Sequence, residues 1–151
     1  MYRVERDVHI LRSQGEIFAF HDNPSNIAKV LPAYLRVEIL QAPERLHAGA
    51  QLWYRMYLGP LRFEWKLEIT EHEAPFRFVD VQRAGPFQTY RHTHGFAPEG
   101  AGTRMSSLIE YEPPPGALSE LAHRVVLHDR LAEALEQVHQ TTKVLLERRE
   151  Q

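Results

Sequence analysis

Tyr90, His92, His94 and Phe96 alternate with Arg91, Thr93 and Gly95 in the stretch GPFQTYRHTHGF, residues 85–96. On a strand, alternate residues share one face, so two imidazoles stand beside two aromatic rings. Imidazole moves protons near neutral pH, ligates metals, or donates a single hydrogen bond inside a core. Four readings of the pair therefore stand open. The histidines are buried structural groups, polar markers that orient a ligand, metal ligands, or an acid–base pair.

The metal reading needs a third protein ligand, because catalytic zinc takes three. Asp80, Glu64 and His128 are the candidates. Glu64 faces outward in the hairpin register below. Asp80 faces inward only if the turn after its neighbouring strand is not a two-residue one. His128 belongs to another element. No compact motif such as H-E-x-x-H is present. The expectation is no metal and no other cofactor. For acid–base work, Tyr90 or Arg6 would stand near a developing oxyanion. The catalytic candidates are His92, His94 and Tyr90, with no nucleophile–base pair evident in the sequence.

The elements that position these groups follow from periodicity. Val4, Val8 and Ile10 alternate with charged or polar residues, a half-buried first strand. SQGE at residues 13–16 is a capping box, and Asn23-Pro24 is a second cap with proline at the first helical position. Two short helices are expected there. QLWYRMYL and LRFEWKLEIT flank Gly59-Pro60 and predict a hairpin. A two-residue turn sets Met56 against Phe63 and Tyr54 against Trp65 on one face, with Arg55 against Glu64 on the other. Trp53 and Tyr57 then face outward. LRVEIL, FRFVDVQ, FQTYRHTHGFA and TRMSSLIEY supply further strands.

After Pro113–Pro115 the period changes to 3.6. Leu121, Val125, His128, Leu131, Leu135, Val138, Thr142 and Leu145 form one stripe. A helix over residues 119–148, capped by Ser119, is long enough to cover a sheet. His123 and His139 are expected at its exposed side or rim. One helix cannot fill the concavity of a twisted six- or seven-stranded sheet, so a cavity is expected. Trp65, Tyr90, His92, His94, Met105, Ser107, Tyr111 and His128 are the expected ligand-binding residues of its lining. Phe18, Phe20, Leu31 and Pro32 are expected as its entrance lid.

The chain of 151 residues carries a net charge of −2 and no cysteine. Disulfides, thiolate metal sites and cysteine nucleophiles are excluded. The charge gives no reason to expect a nucleic-acid partner, and no apolar stretch is long enough for stable membrane insertion. A single domain over residues 1–151 and a cytoplasmic location are the expectations.

The stretches FAFHDNPSNIAKVLP, FVDVQRAGPFQTYRHTHGF and GTRMSSLIEYEPPPG, with the order of elements, resemble the START-like (SRPBCC) superfamily. Within it they resemble the polyketide cyclase/dehydrase and lipid-transport family. The middle stretch resembles a signature of one bacterial branch, F-x-D-x-Q…G-P-[FY]…W-x-H-x-H-x-F. Here Tyr90 stands in place of the tryptophan, and Ser107 stands where aspartate is expected. The resemblance implies an α+β helix-grip fold: a curved antiparallel sheet wrapped on a long C-terminal helix. It does not imply one activity, because binders, transporters and enzymes share the fold. The expected function is binding, or transport, of a small apolar or amphipathic ligand such as a lipid, polyketide-like or aromatic compound. A cyclase or dehydratase using His92 or His94 is the alternative, and a protein-interaction module is the third.

Overall fold

A computed structural model describes residues 1–114 and 127–148. Strand β1 (Tyr2–Ile10) leads into helix α1 (Gln14–Asp22), a 3-10 turn (Pro24–Asn26) and helix α2 (Ile27–Val30). Six strands follow: β2 (Leu35–Gln41), β3 (Gln51–Leu58), β4 (Leu61–Glu73), β5 (Arg77–Ala84), β6 (Thr89–Glu99) and β7 (Gly102–Glu112). Helix α3 (Asp129–Glu147) ends the described chain. The strands form one antiparallel sheet in the order β1-β7-β6-β5-β4-β3-β2. This is the α+β helix-grip fold. No described helix is long and apolar enough to cross a membrane.

The caps act as their chemistry requires. The Ser13 hydroxyl accepts from the Glu16 amide at 3.2 Å and donates to the Glu16 carboxylate at 3.0 Å. The Asn23 side chain accepts from the Ser25 amide at 3.1 Å, starting the 3-10 turn at Pro24. The β3–β4 hairpin has the expected register: Leu58 opposite Leu61, Met56 opposite Phe63, Tyr54 opposite Trp65. Gly59 takes the positive φ of 57° that this tight turn needs. On the outer face the Trp53 indole donates to Glu64 at 2.7 Å. Lys66 sits over the Trp53 ring and Arg36 over Tyr57.

β4 does not run regularly to its end. Its pairing with β5 shifts between Ile69 and Glu71 and again between Lys66 and Leu67. The inner face of β4 carries Leu67 and Ile69 before the shift at Ile69–Glu71 and His72 beyond it, so an odd series becomes an even one. A bulge produces this change of phase, because one extra residue swaps the faces of everything after it. Opposite Ile69 stands Asp80.

Helix α3 lies over the inner face of the sheet and is anchored at its C-terminus. Arg12, 7 % exposed, donates to the carbonyls of Leu146 at 2.9 Å and Glu147 at 3.2 Å. A cation there satisfies carbonyls without helical partners and complements the helix dipole. Lys143 donates to the His9 carbonyl at 2.6 Å, and the Leu11 amide donates to Glu147 at 2.9 Å.

The buried face of α3 is Ala132, Leu135, His139, Thr142 and Leu146. The expected stripe is therefore displaced. Leu135 and Thr142 belong to both, while Leu131, Val138 and Leu145 are half-buried flanks of the core. A stripe drawn through Leu131, Val138 and Leu145 left out His139, which is 2 % exposed and corrects the expected position at the rim. Ser119, Leu121, His123 and Val125 lie outside the described residues. Leu135→Ala should lower the unfolding free energy by about 2–5 kcal/mol, because it deletes a side chain closed in by sheet and helix. Urea denaturation checks this, and a loss below about 1 kcal/mol would mean that α3 does not pack as described.

Candidate functional site

Between the sheet and α3 lies a cavity of about 230 Å³. Its apolar walls come from three sources. β3, β4 and β7 supply Leu52, Met56, Leu67, Ile69 and Ile109. α3 supplies Leu131, Leu135 and Val138, and the end of α2 supplies Val30, Leu31 and Pro32. Asp80, His92, His94, Ser107, His21 and His139 supply polar groups from β5, β6 and β7 and from the helices facing them, and Asn23 and Asn26 add polar groups next to α2.

The strand register brings the first three together. Asp80 pairs with His92, and Phe78 pairs with His94, across β5 and β6. All four face inward. The His94 Nε2–H donates to the Asp80 carboxylate at 2.8 Å. The His92 and His94 rings stack at 3.6 Å, and Phe78 stacks on the other side of His94 at 4.1 Å. The Tyr90 hydroxyl lies 3.4 Å from His92 Nδ1. From α3, His139 Nε2 reaches the Ser107 hydroxyl at 2.9 Å. Ligand atoms of Asp80, His92 and His94 all lie within 4.8 Å of one another.

Burial governs the charge state of this group. It holds the imidazoles of His21 and His94 down to about 3, each assisted by neighbouring histidines, and His139 down to about 4. It also holds His92 well below its ordinary value. These imidazoles are neutral near pH 7, so the contact of His94 with Asp80 is an N–H donated to a carboxylate rather than an ion pair. Burial pushes the Asp80 carboxyl up to about 6, with His92 opposing the rise. The Tyr90 phenol is pushed well above its ordinary value by burial and by Asp80. Four buried nitrogens of cavity residues have no hydrogen-bond partner among the described residues: His21 Nε2, Trp65 Nε1, His92 Nε2 and His139 Nδ1. An unpaired polar atom in an apolar interior is costly, and such atoms mark places where a ligand or water is accommodated.

The loop between β5 and β6 closes one end. The Gln82 side chain donates to the Phe87 carbonyl at 2.7 Å and accepts from the Phe87 amide at 3.3 Å. Gly85 passes so close to Trp65 that a Cβ would stand 2.5 Å from the indole. Phe87 then packs on Tyr90 at 5.1 Å and on Trp65 at 6.0 Å. FVDVQRAGPFQTYRHTHGF thus encodes both a polar cluster and the loop that seals it.

Residues 1–142 match the model of the polyketide cyclase / dehydrase and lipid transport family. The chain belongs to this family. Among solved structures, a protein of Chromobacterium violaceum superposes with a TM-score of 0.79 at 13 % identity, covering 97 % of this chain and 99 % of that one. A Thermus thermophilus protein gives 0.74 at 18 % identity, with 94 % of each chain covered. Ginseng major latex-like protein 151 from Panax ginseng gives 0.68 at 14 % identity, with 95 % of each chain covered. At these identities the likeness carries the fold alone. No curated protein matches.

Within this member of the polyketide cyclase / dehydrase and lipid transport family, six of the eight expected lining residues meet at the cavity: Trp65, Tyr90, His92, His94, Met105 and Ser107. Tyr111 and His128 do not. Tyr111 is fully buried beyond the sealed end, stacked on Tyr2 at 5.7 Å and against Phe87 at 5.4 Å. The His128 Nε2 lies 3.1 Å from the Arg3 carbonyl, ahead of the first turn of α3. Arg6 is also outside the cavity, 3.6 Å from Glu136 at the surface. Of the expected lid, Leu31 and Pro32 line the cavity, whereas Phe18 and Phe20 are core. Phe18 packs edge-on to Phe78 and Phe96.

Sequence reasoning left Asp80 undecided and missed His21 and His139. The turn after β4 spans Ala74–Phe76 rather than two residues, and the bulge rephases the strand, so Asp80 faces inward. The carboxylate that seemed absent at residue 107 enters from residue 80. His139 had a readable signal, since it stands four residues after Leu135 and three before Thr142 on one helix face.

Stability should report the neutral imidazoles. Unfolded histidines take up protons near 6.5, whereas His139 does so only near 4 and His21 near 3. As pH falls below 6.5 the unfolded state binds more protons, so stability is lost progressively toward pH 4. The urea midpoint should fall between pH 7 and pH 5, with a shallower fall in His139→Gln. A midpoint flat over that interval would show that these histidines are not buried neutral.

Proposed function

We propose that this protein binds a small amphipathic molecule in the cavity, with the apolar body against the leucine-rich walls and a polar end at the Asp80–His92–His94 group. The carrying observation is the asymmetry of the cavity. Most of its wall is apolar, while Asp80, His92 and His94 bring a carboxylate and two imidazoles together at one end. Ligand sites have this composition: apolar area supplies affinity and a few polar groups fix orientation. Buried apolar ligand surface contributes about 25 cal/mol per Å² before the entropy lost on association is subtracted. A fatty acid, a polyketide-like chain or a substituted aromatic acid suits it, an acid sharing one proton with the Asp80 carboxyl. The family description, which names both cyclisation and lipid transport, supports a compound of this class.

The hydrogen bond from His94 to Asp80 favours a second reading. A histidine held by a carboxylate is oriented for proton transfer, as an aldol-type cyclisation or dehydration requires. In that reading His94 or its neighbour His92 moves the proton, and Tyr90 lies beside the same group.

Trp65 lines the cavity and serves as reporter. In a Trp53→Phe background, titration with cis-parinaric acid should quench Trp65 emission with one-to-one saturation. Tyr90→Phe and His94→Ala should weaken that affinity by about 5-fold or more, a loss on the order of 1 kcal/mol. Their urea midpoints should change much less. Unsaturable quenching, or unchanged affinity in both variants, would remove the cavity or its polar end from the site.

A further inference from the structure

We propose that Asp80, His92 and His94 form a binding site for one divalent first-row transition ion, such as Zn²⁺ or Fe²⁺, at the polar end of the cavity. The expectation of no metal rested on the lack of a third ligand. The bulge in β4 and the β5–β6 register supply that ligand, because they bring Asp80 inward opposite His92.

Donor set, geometry and charge agree. Two imidazoles and one carboxylate form a common set for zinc and for iron, and they leave coordination positions open. One ligand atom from each residue lies within 4.8 Å of the other two. Around a tetrahedral ion with ligand distances of about 2.0–2.1 Å, donors stand about 3.3 Å apart. The widest pair therefore closes by at most about 1.5 Å, and rotation about the χ torsions must also unstack the His92 and His94 rings so that their nitrogens converge. Among the described residues, no lysine or arginine pairs with Asp80, and none lines the cavity. A buried carboxylate without a cationic partner gains most from a bound cation.

The nitrogens are also suitably arranged. His92 Nε2 is buried and has no partner among the described residues. With the Tyr90 oxygen accepting from His92 Nδ1–H, the bare lone pair of the neutral ring lies on Nε2. His94 Nε2 now donates to Asp80. Ligation through this nitrogen requires the other tautomer, with the ring hydrogen on Nδ1, and involves no net loss of a proton. The ion then replaces that hydrogen between imidazole and carboxylate. An anionic oxygen of an amphipathic ligand would take an open position of the ion and complete the sphere. Only this last point rests on the proposed ligand binding, because the metal site is tested with metal alone.

The test uses full-length, tag-free protein, stripped with chelator and titrated with Co²⁺ and Zn²⁺. Equilibrium dialysis should give one ion per chain with a dissociation constant in the micromolar range or below, and Co²⁺ should develop visible ligand-field absorption. Asp80→Asn, His92→Ala and His94→Gln should each weaken binding by about 100-fold or more, beyond the usual loss for an outer-shell change. His128→Ala should leave binding unchanged. Circular dichroism identifies any variant that fails to fold. In the wild-type protein, Co²⁺ should shift or broaden the methyl resonances of Met105 and Ile69 before those of Val144 on the surface. Absence of saturable one-to-one uptake would overturn the site, as would uptake retained in folded Asp80→Asn and His92→Ala variants. So would paramagnetic effects confined to surface residues. Binding of cis-parinaric acid to metal-free protein is read separately, so failure of the metal site leaves the ligand reading intact.

Discussion

The arrangement turns on one carboxylate held inside an apolar cavity. Asp80 is 7 % exposed and its recorded hydrogen bond comes from His94. Burying an ionisable group is expensive unless its surroundings answer it. Here the answer is built from the backbone outward. The bulge in β4 changes the phase of that strand, the inner face of β5 then holds Phe78 and Asp80, and β6 sets His94 and His92 across from them. A one-residue slip would turn Asp80 to solvent and leave the histidines facing an apolar wall. The rings of Phe78, His94 and His92 stack in a column, so packing as well as hydrogen bonding orients the imidazoles.

The rest of the fold keeps this interior enclosed. Arg12 and Lys143 tie the C-terminal end of α3 to the β1–α1 junction. Leu135 and His139 are thereby held over the sheet rather than over solvent. At the other end Gln82 fastens the loop that carries Phe87 over Trp65 and Tyr90. The cavity exists because a single helix cannot fill the space under a seven-stranded sheet. Unpaired nitrogens on His21, His92 and His139 are tolerated in that space, whereas close packing would leave no room for anything to meet them.

Much of the fold was legible in the sequence, because its signals are local. The Ser13 box, the Asn23-Pro24 cap, the Gly59-Pro60 turn and the alternation of Tyr90 through Phe96 each depend on neighbours a few residues away. The alternation also placed Trp65, Tyr90, His92, His94, Met105 and Ser107 on the cavity side. What stayed hidden depends on geometry that periodicity does not record. A bulge leaves no clear mark in LEITEHE, so the side faced by Asp80 was undecided. Tyr111 has the same parity as Met105 and Ser107, yet it lies beyond the point where Phe87 closes the cavity. His128 shares the helical spacing of Ala132, Leu135 and His139, yet it stands ahead of the first turn of α3 and meets the Arg3 carbonyl rather than the cavity. Pairing with Ser107 makes His139 a core residue.

The most direct test of ligand binding in this cavity is the set of intermolecular nuclear Overhauser contacts from an unlabelled medium-chain fatty acid to isotope-labelled protein. The expected contacts run from the acyl chain to the methyl groups of Met56, Ile109 and Leu135, with the carboxylate end nearest the rings of Tyr90 and His92. Contacts confined to outward-facing groups such as Val144 and Leu61, or none at saturating fatty acid, would contradict it.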